Sequence, residues 1–244
     1  MNKDIISQYE KQNLFSINSE YKQPYLYHHS SSKKIQNIIK SKTLRAYNLK
    51  SFLEGNSNDN NEFLHIIQII EQVVEFIIKE KGLAKKLNEL ALTIKKDILK
   101  YKKNFFVLCF TYDKNNIHCE TEFSKNKFHI TFKETHSLCK KHSEAFYYAY
   151  VIYSPAIIED AIKKEINSFI DIFLSGLDIE QLKRMIALFF RKLTLYAALY
   201  KRPHPFEKEK EYRFIMYNDQ STKDNYLELK LTKTLLDAIE KSVT

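Results

Sequence analysis

Tryptophan is absent from this chain and glycine nearly so: 244 residues hold only Gly55, Gly82 and Gly176, no two of them close together. A phosphate-cradling P-loop or a dinucleotide-binding turn needs two or three clustered glycines, so that backbone N–H groups can approach the phosphates. Both routes to nucleotide binding are therefore excluded. Cysteine is as sparse, and Cys109, Cys119 and Cys139 make an odd set that does not indicate a disulfide scaffold. No uninterrupted apolar run approaches the roughly 20 residues of a membrane span. The first residues, Met1-Asn2-Lys3-Asp4-Ile5-Ile6, lack the apolar segment of a secretory signal. A cytoplasmic protein is expected, with delivery into a target or host cell as the variant.

What is present is a core-forming, basic composition. Apolar residues make up 44% of the chain, and the net charge is +9. Such a charge invites a nucleic-acid partner. The lysines are spread in pairs, however, such as Lys33-Lys34, Lys95-Lys96 and Lys140-Lys141, and none forms a run of five. Solvated helix faces account for them equally well. The length suits a single domain over 1–244, with a core at about 23–61, 104–153 and 205–231 and helical insertions at about 62–102 and 155–201.

Periodicity fills in the elements. Pro24 to His28 reads as a strand running into the turn His29-Ser30-Ser31-Ser32. Ile35, Ile38 and Ile39 then mark a helix from Lys33 to Ser41, and Leu44 to Tyr47 a second strand. The segment 53–61, rich in Asn, Asp and Gly, predicts turns. Helical spacing predicts helices over Glu62–Glu80 and Leu83–Tyr101. Phe105–Tyr112 is uniformly apolar, as a central strand is; Lys127–Lys133 alternates, and Ala145–Tyr153 is aromatic and β-rich. Ser154-Pro155 opens a helix, Asp178 with Gln181 forms a capping box for the next, and Tyr226–Lys230 with Thr232–Lys241 give a last strand and helix. The sum is an α+β domain.

Two polar patches interrupt these patterns. On a strand carrying Glu209, Glu211 and Arg213, alternation gathers two carboxylates and a guanidinium on one face. Such a face is either a solvated edge or a binding site. Near the other end of the chain, His28 closes a strand before a polar turn, where an imidazole can donate and accept hydrogen bonds at neutral pH. A packed or surface histidine is the plainer reading. His118, Cys119, His136, Cys139 and His142 do not follow a zinc-ligand spacing, so no metal is expected. Cys109, inside an apolar strand, reads as a small buried hydrophobe.

Taken in order, Tyr27-His28-His29-Ser30-Ser31, Asn58-Asp59-x-x-Glu62, Leu108-Cys109-Phe110-Thr111 and Phe206-x-x-Glu209-x-Glu211-Tyr212-Arg213 resemble the bacterial family named domain of unknown function 2971. Its members read Tyr-His-Tyr-Thr-Ser, Asn-Asp-Pro-x-Glu, Cys-Phe-Ser and Phe-x-x-Glu-x-Glu-Trp-Arg. The likeness spans about residues 25–217. His29 stands for the family's Tyr, Asn60 for its Pro and Tyr212 for its Trp. A Trp-containing segment expected after Cys-Phe-Ser has no counterpart here. More loosely, Leu26-Tyr27-His28-His29-Ser30 and Glu209-x-Glu211 are similar to the His strand and the Glu-x-Glu strand of ADP-ribosyltransferases.

That resemblance implies a transferase-like core of short mixed strands, with NAD as substrate and no metal. Glu211 would be the carboxylate that stabilises the sugar cation of the transition state, and Glu209 would activate the acceptor. His28 would orient NAD, supported by Tyr27, Ser30 and Arg213, with Tyr47 or Phe110 stacking on a ring. The acceptor, a protein or a nucleic acid, is not legible, nor is transfer separable from NAD hydrolysis. A toxin, an effector or a phage-defence protein all fit. Two other readings stay open: a non-enzymatic module using its basic surface, and a metal-dependent hydrolase using Glu209, Glu211 and Asp59.

Overall fold

The computed structural model describes residues 25–49, 58–80, 102–143, 145–218 and 225–243. Its centre is two apolar strands, β3 (Phe105–Thr111) and β6 (Glu211–Tyr217), paired antiparallel along their full length from Phe105 opposite Tyr217 to Thr111 opposite Glu211. The remaining strands are β1 (Tyr25–His29), β2 (Thr43–Asn48), β4 (Lys127–Thr131), β5 (Ala145–Tyr150) and β7 (Tyr226–Lys230). Strand β5 lies on the outer edge of β6. The other edge of β3 is divided. Tyr27 of β1 pairs with Thr111 at one end, while Tyr47 and Asn48 of β2 pair with Val107 and Phe106 at the other. Beyond them β4 pairs with β1, and β7 with β2.

Every one of these strand pairings is antiparallel, so the mixed sheet expected from the resemblance is replaced by an antiparallel one within the α+β class. The reason lies in the connection. Helix α1 (Ser32–Ser41) joins β1 to β2, and the two run in one direction, but they meet β3 at different heights instead of pairing with each other.

Both faces of β3 and β6 are covered. Alternation sends Phe105, Val107, Ile215 and Tyr217 into one core, which is completed by α2 (Asn58–Glu80), α5 (Pro155–Leu174) and α6 (Ile179–Leu199). Phe106, Leu108, Phe110, Phe214 and Met216 enter a second core, closed by α1, α4 (Phe132–His142) and α7 (Lys233–Ser242). The periods read from the sequence place most of these elements. Helix α2 starts at Asn58 instead of Glu62, because the Asn- and Asp-rich segment forms its first turn. The helix expected at 83–101 lies outside the described residues.

Strand β4 ends at Thr131, short of Lys133, because Thr131 caps α4. Its hydroxyl accepts from the Glu134 N–H, and the Glu134 side chain accepts from the Thr131 N–H. Helix α3 (Ile117–Glu122), unforeseen in the sequence, is capped in a similar way by Asn116.

Between α5 and α6 lies a buried ion pair. Lys192 Nζ stands 3.3 Å from Glu165 Oε1, with both side chains under a tenth exposed. Removing one partner strands a charge in an apolar layer, whereas replacing both need not. Lys192→Met is expected to lower unfolding free energy by about 3–5 kcal/mol. Adding Glu165→Leu should recover most of it, as read from urea midpoints.

Candidate functional site

The C-terminal end of β3 and the start of β6 meet at the fork where β1 and β2 part. The register sets Cys109 opposite Arg213 and Thr111 opposite Glu211, with Tyr27 across from Thr111. A cavity of about 200 Å³ opens there. Tyr27, His28 and His29 of β1 line it, with Cys109, Phe110 and Thr111 of β3, Cys119 and Phe123 of the α3 segment, and Lys201, Glu209, Glu211 and Arg213. The two patches singled out in the sequence, some 180 residues apart, thus share one cavity.

Glu211 and Arg213 point to the same face of β6, as alternation requires, and Arg213 grips its neighbour in two places. Arg213 Nε donates to Glu211 Oε1 at 2.8 Å and Nη2 to Oε2 at 3.1 Å, while Nη1 donates to the Ala198 carbonyl. The last carbonyls of a helix have no partner within it, so Arg213 also closes the end of α6. Lys201 follows Tyr200, the residue that caps α6. Its backbone is fixed to Ile152: the Ile152 N–H donates to the Leu199 carbonyl at 2.8 Å, and the Lys201 N–H donates to the Ile152 carbonyl at 3.1 Å. From there Nζ reaches Glu209 Oε2 at 2.7 Å and Glu211 Oε2 at 3.0 Å.

Glu209 arrives by another route than the sequence suggests. It does not belong to β6 but ends a 3₁₀ turn, Glu207–Glu209, and Lys210 follows with φ of 47°. A left-handed residue breaks the extended backbone, so alternation from Glu211 does not carry back to Glu209. Asn116 pins the turn, its Nδ2 donating to the carbonyls of Lys208 and Glu209 at 2.8 and 2.9 Å. Lys201 then draws both carboxylates to one point.

Their environments push the two acids apart. Burial raises the Glu209 carboxyl; Lys201 opposes this, and the neighbouring Glu211 charge adds to the rise, leaving Glu209 above the ordinary range. Burial acts on Glu211 in the same sense, but Arg213 and Lys201 outweigh it and hold Glu211 well below the ordinary range. One carboxylate is therefore a fixed charge and the other a proton acceptor, a division that acid–base sites exploit.

His28 sits at the fork itself. Its Nδ1 lies 3.2 Å from the Cys109 carbonyl, and its ring packs against Phe110 and Phe128 at 5.9 and 5.2 Å. A carbonyl only accepts, so Nδ1 carries the proton and, in the neutral ring, Nε2 is the acceptor. Burial lowers the pKa of His28 below the ordinary histidine value, against the Cys109 carbonyl, which raises it. His29 donates in the same manner from Nδ1 to the Ser124 carbonyl at 2.9 Å, tying β1 to the α3 segment. Burial also keeps the nearby thiols protonated: Cys109 is raised well above the ordinary value, and Cys119 to about 12.

Of the residues expected at the site, Glu211, Glu209, His28, Tyr27, Phe110 and Arg213 line the cavity, and Ser30 and Tyr47 do not. Ser30 is buried at the turn after β1, its N–H donating to the Asn126 carbonyl. Tyr47 lies on β2 past the fork, 48% exposed. Phe110 is 2% exposed and serves the second core. The sequence reading missed Lys201, five residues before Phe206, where the motif that carries the two acids begins. It also missed Phe123, a phenyl ring 58% exposed that lines the cavity at the end of α3.

His28, His129 and His142 all have folded-state pKa values below the ordinary 6.5, mainly through burial. Between the folded and unfolded values the unfolded chain binds more protons, so stability rises with pH in that window. It is complete above about pH 6.5 and lost as the pH falls toward the folded-state values. The melting temperature is expected to drop from pH 7 to pH 5, with a shallower slope in His28→Gln. An unchanged slope would show that His28 is not held neutral.

Comparison with protein-family models, with curated proteins and with solved structures finds no match to this chain.

Proposed function

We propose that this chain cleaves the nicotinamide–ribose bond of NAD and transfers ADP-ribose to a protein or nucleic-acid acceptor, or to water. The observation that carries the reading is one cavity that brings a half-buried His28 beside the Glu209–Lys201–Glu211–Arg213 cluster. The pattern accords with an ADP-ribosyltransferase-like core, in which a histidine strand faces a Glu-x-Glu segment.

The chemistry asks for two different acids. As the C1′–N bond breaks, its electron pair leaves with nicotinamide and positive charge develops on the ribose. A carboxylate that stays ionised opposes that charge, the kind of preorganised electrostatic help worth about 2.7–4 kcal/mol per group. Glu211, held ionised by Arg213 and Lys201, fills this role. The attacking acceptor must lose a proton, and Glu209, with its raised pKa, takes it. Neutral His28 offers Nε2 to a ribose hydroxyl. A void of about 200 Å³ is smaller than the roughly 300–1,000 Å³ of a typical ligand cleft. It has room for a ring and its sugar, with the rest of the dinucleotide passing out through the mouth.

For the ring, Phe123 is better placed than Tyr47 or Phe110, because it is both exposed and at the cavity. Stacking on such a ring contributes about 1–3 kcal/mol.

Two measurements test the reading. Wild-type protein, given NAD with lysate as the acceptor source, should release free nicotinamide. Glu211→Gln and His28→Ala, folded as judged by circular dichroism, should each lose about 100-fold or more in rate. No release together with no NAD binding by calorimetry would sink the proposal. Separately, Phe123→Ala should raise KM with little change in kcat. Phe123→Trp would install the chain's only tryptophan, whose fluorescence should be quenched by NAD. An unquenched signal would remove Phe123 from the site.

A further inference from the structure

We propose that Lys201 is a positioning residue whose ammonium keeps Glu209 and Glu211 ionised side by side, and that without it the two acids share one proton. The proposal rests on the cavity being the catalytic site, yet its test needs no NAD.

The argument starts from electrostatics. Two carboxylates sharing a buried site do not both ionise unless a cation stands between them; one takes up a proton and the pair titrates as a unit. Here the cation is Lys201, whose Nζ touches both Oε2 atoms, with all three side chains no more than a tenth exposed. Arg213 does not replace it. Its guanidinium grips Glu211 and the Ala198 carbonyl, and its charge also acts on Glu209.

The backbone is built around this placement. Lys201 follows an isolated parallel bridge between Ile152 and Tyr200, which lies outside every named strand. That bridge fixes the end of α6 against the segment after β5, so the lysine stem enters the cluster from outside the sheet while the acids enter from its end. Packing alone would not call for an ammonium here. A Met side chain has nearly the same stem, and Phe206, whose ring lies 5.1 Å from Nζ, would pack on either.

Among the described residues, the other titratable groups around the trio do not supply the missing charge. Cys109 of β3, Cys119 of α3 and Tyr153 are held protonated by burial. His28 of β1 is held toward its neutral form, and its neighbour His29 donates to the Ser124 carbonyl. Asp113, after β3, is bound to Lys210 at 2.8 Å.

The test is a carboxyl titration by NMR on protein carrying ¹³C-carboxyl glutamate, in wild type, Lys201→Met, Lys201→Arg and the double variant Lys201→Met/Glu209→Gln. Signals of the pair are assigned by their loss in Glu209→Gln and Glu211→Gln. In Lys201→Met the apparent midpoint of the pair should rise by more than about one pH unit, and Lys201→Arg should reverse most of that rise. Folded Lys201→Met with a titration superimposable on wild type would overturn the proposal.

If Lys201→Met does not fold, melting temperatures decide. Removing the stranded carboxylate should restore stability, so the double variant should fold and melt above the single one. A double variant as unstable as Lys201→Met would show that the lysine only packs. Wild-type protein that releases no nicotinamide would defeat the catalytic reading and leave the titration result standing, so the two failures are distinct.

Discussion

The pairing of β3 with β6 is the constraint on which the rest depends. Seven residue pairs in unbroken register, buried on both faces, fix the two strands as one rigid unit. A one-residue slip would turn every apolar side chain toward the wrong core. The same register decides where the polar residues at the strand ends go. Glu211 must face the Thr111 end and Arg213 the Cys109 position, and both must do so between two helical layers. Since a charge at such a place is tolerated only when paired, the fold demands the Arg213 and Lys201 contacts. The site is a consequence of the sheet and not an addition to it.

A second consequence concerns the other edge of β3. Because β1 and β2 divide that edge, ladder pairing is interrupted at Cys109, and a backbone carbonyl there needs a donor from elsewhere. His28 provides it. One hydrogen bond therefore closes the gap in the sheet, selects the tautomer of the ring and leaves Nε2 as its acceptor. The contact that completes the sheet at His28 also sets which ring nitrogen faces away from Cys109.

Much of this was legible in the sequence. The apolar run of β3 announced a central strand, whereas β6, read from its charged start as an edge or a binding site, is buried along its whole length; Thr131 with Glu134 spelled a capping box that alternation over Lys127–Lys133 masked. The grouping of Glu211 and Arg213 followed from the two-residue period of a strand. Glu209 did not follow from it, since a single left-handed residue, Lys210, ended the period, and nothing in a lysine signals positive φ. Lys201 was hidden for a different reason. Its role depends on the Ile152–Tyr200 bridge, a contact between segments almost 50 residues apart with no local pattern. Phe123 caps the C-terminal end of a six-residue helix too short for periodicity to reveal, and Tyr47 lies on β2, away from the cavity.

The charge pattern of the molecule bears on which chemistry the cavity serves. On the outer helices, lysines stand beside acids, as in Lys163–Glu159, Lys164–Asp160 and Lys183–Glu180. Such exposed pairs stabilise little. The cavity has a different logic. Its two acids and two bases balance, its thiols are protonated and His28 is held toward neutrality, so little net field is aimed at an incoming ion. What it offers instead is a difference between two neighbouring carboxylates, one fixed and one ready to take a proton. Among the described residues no three His, Cys, Asp or Glu side chains gather as a metal ion needs, and both acids turn to an ammonium. The proposed reaction, which develops positive charge on a sugar while an acceptor gives up a proton, would use that difference directly, because each of the two events would meet the acid whose environment matches it.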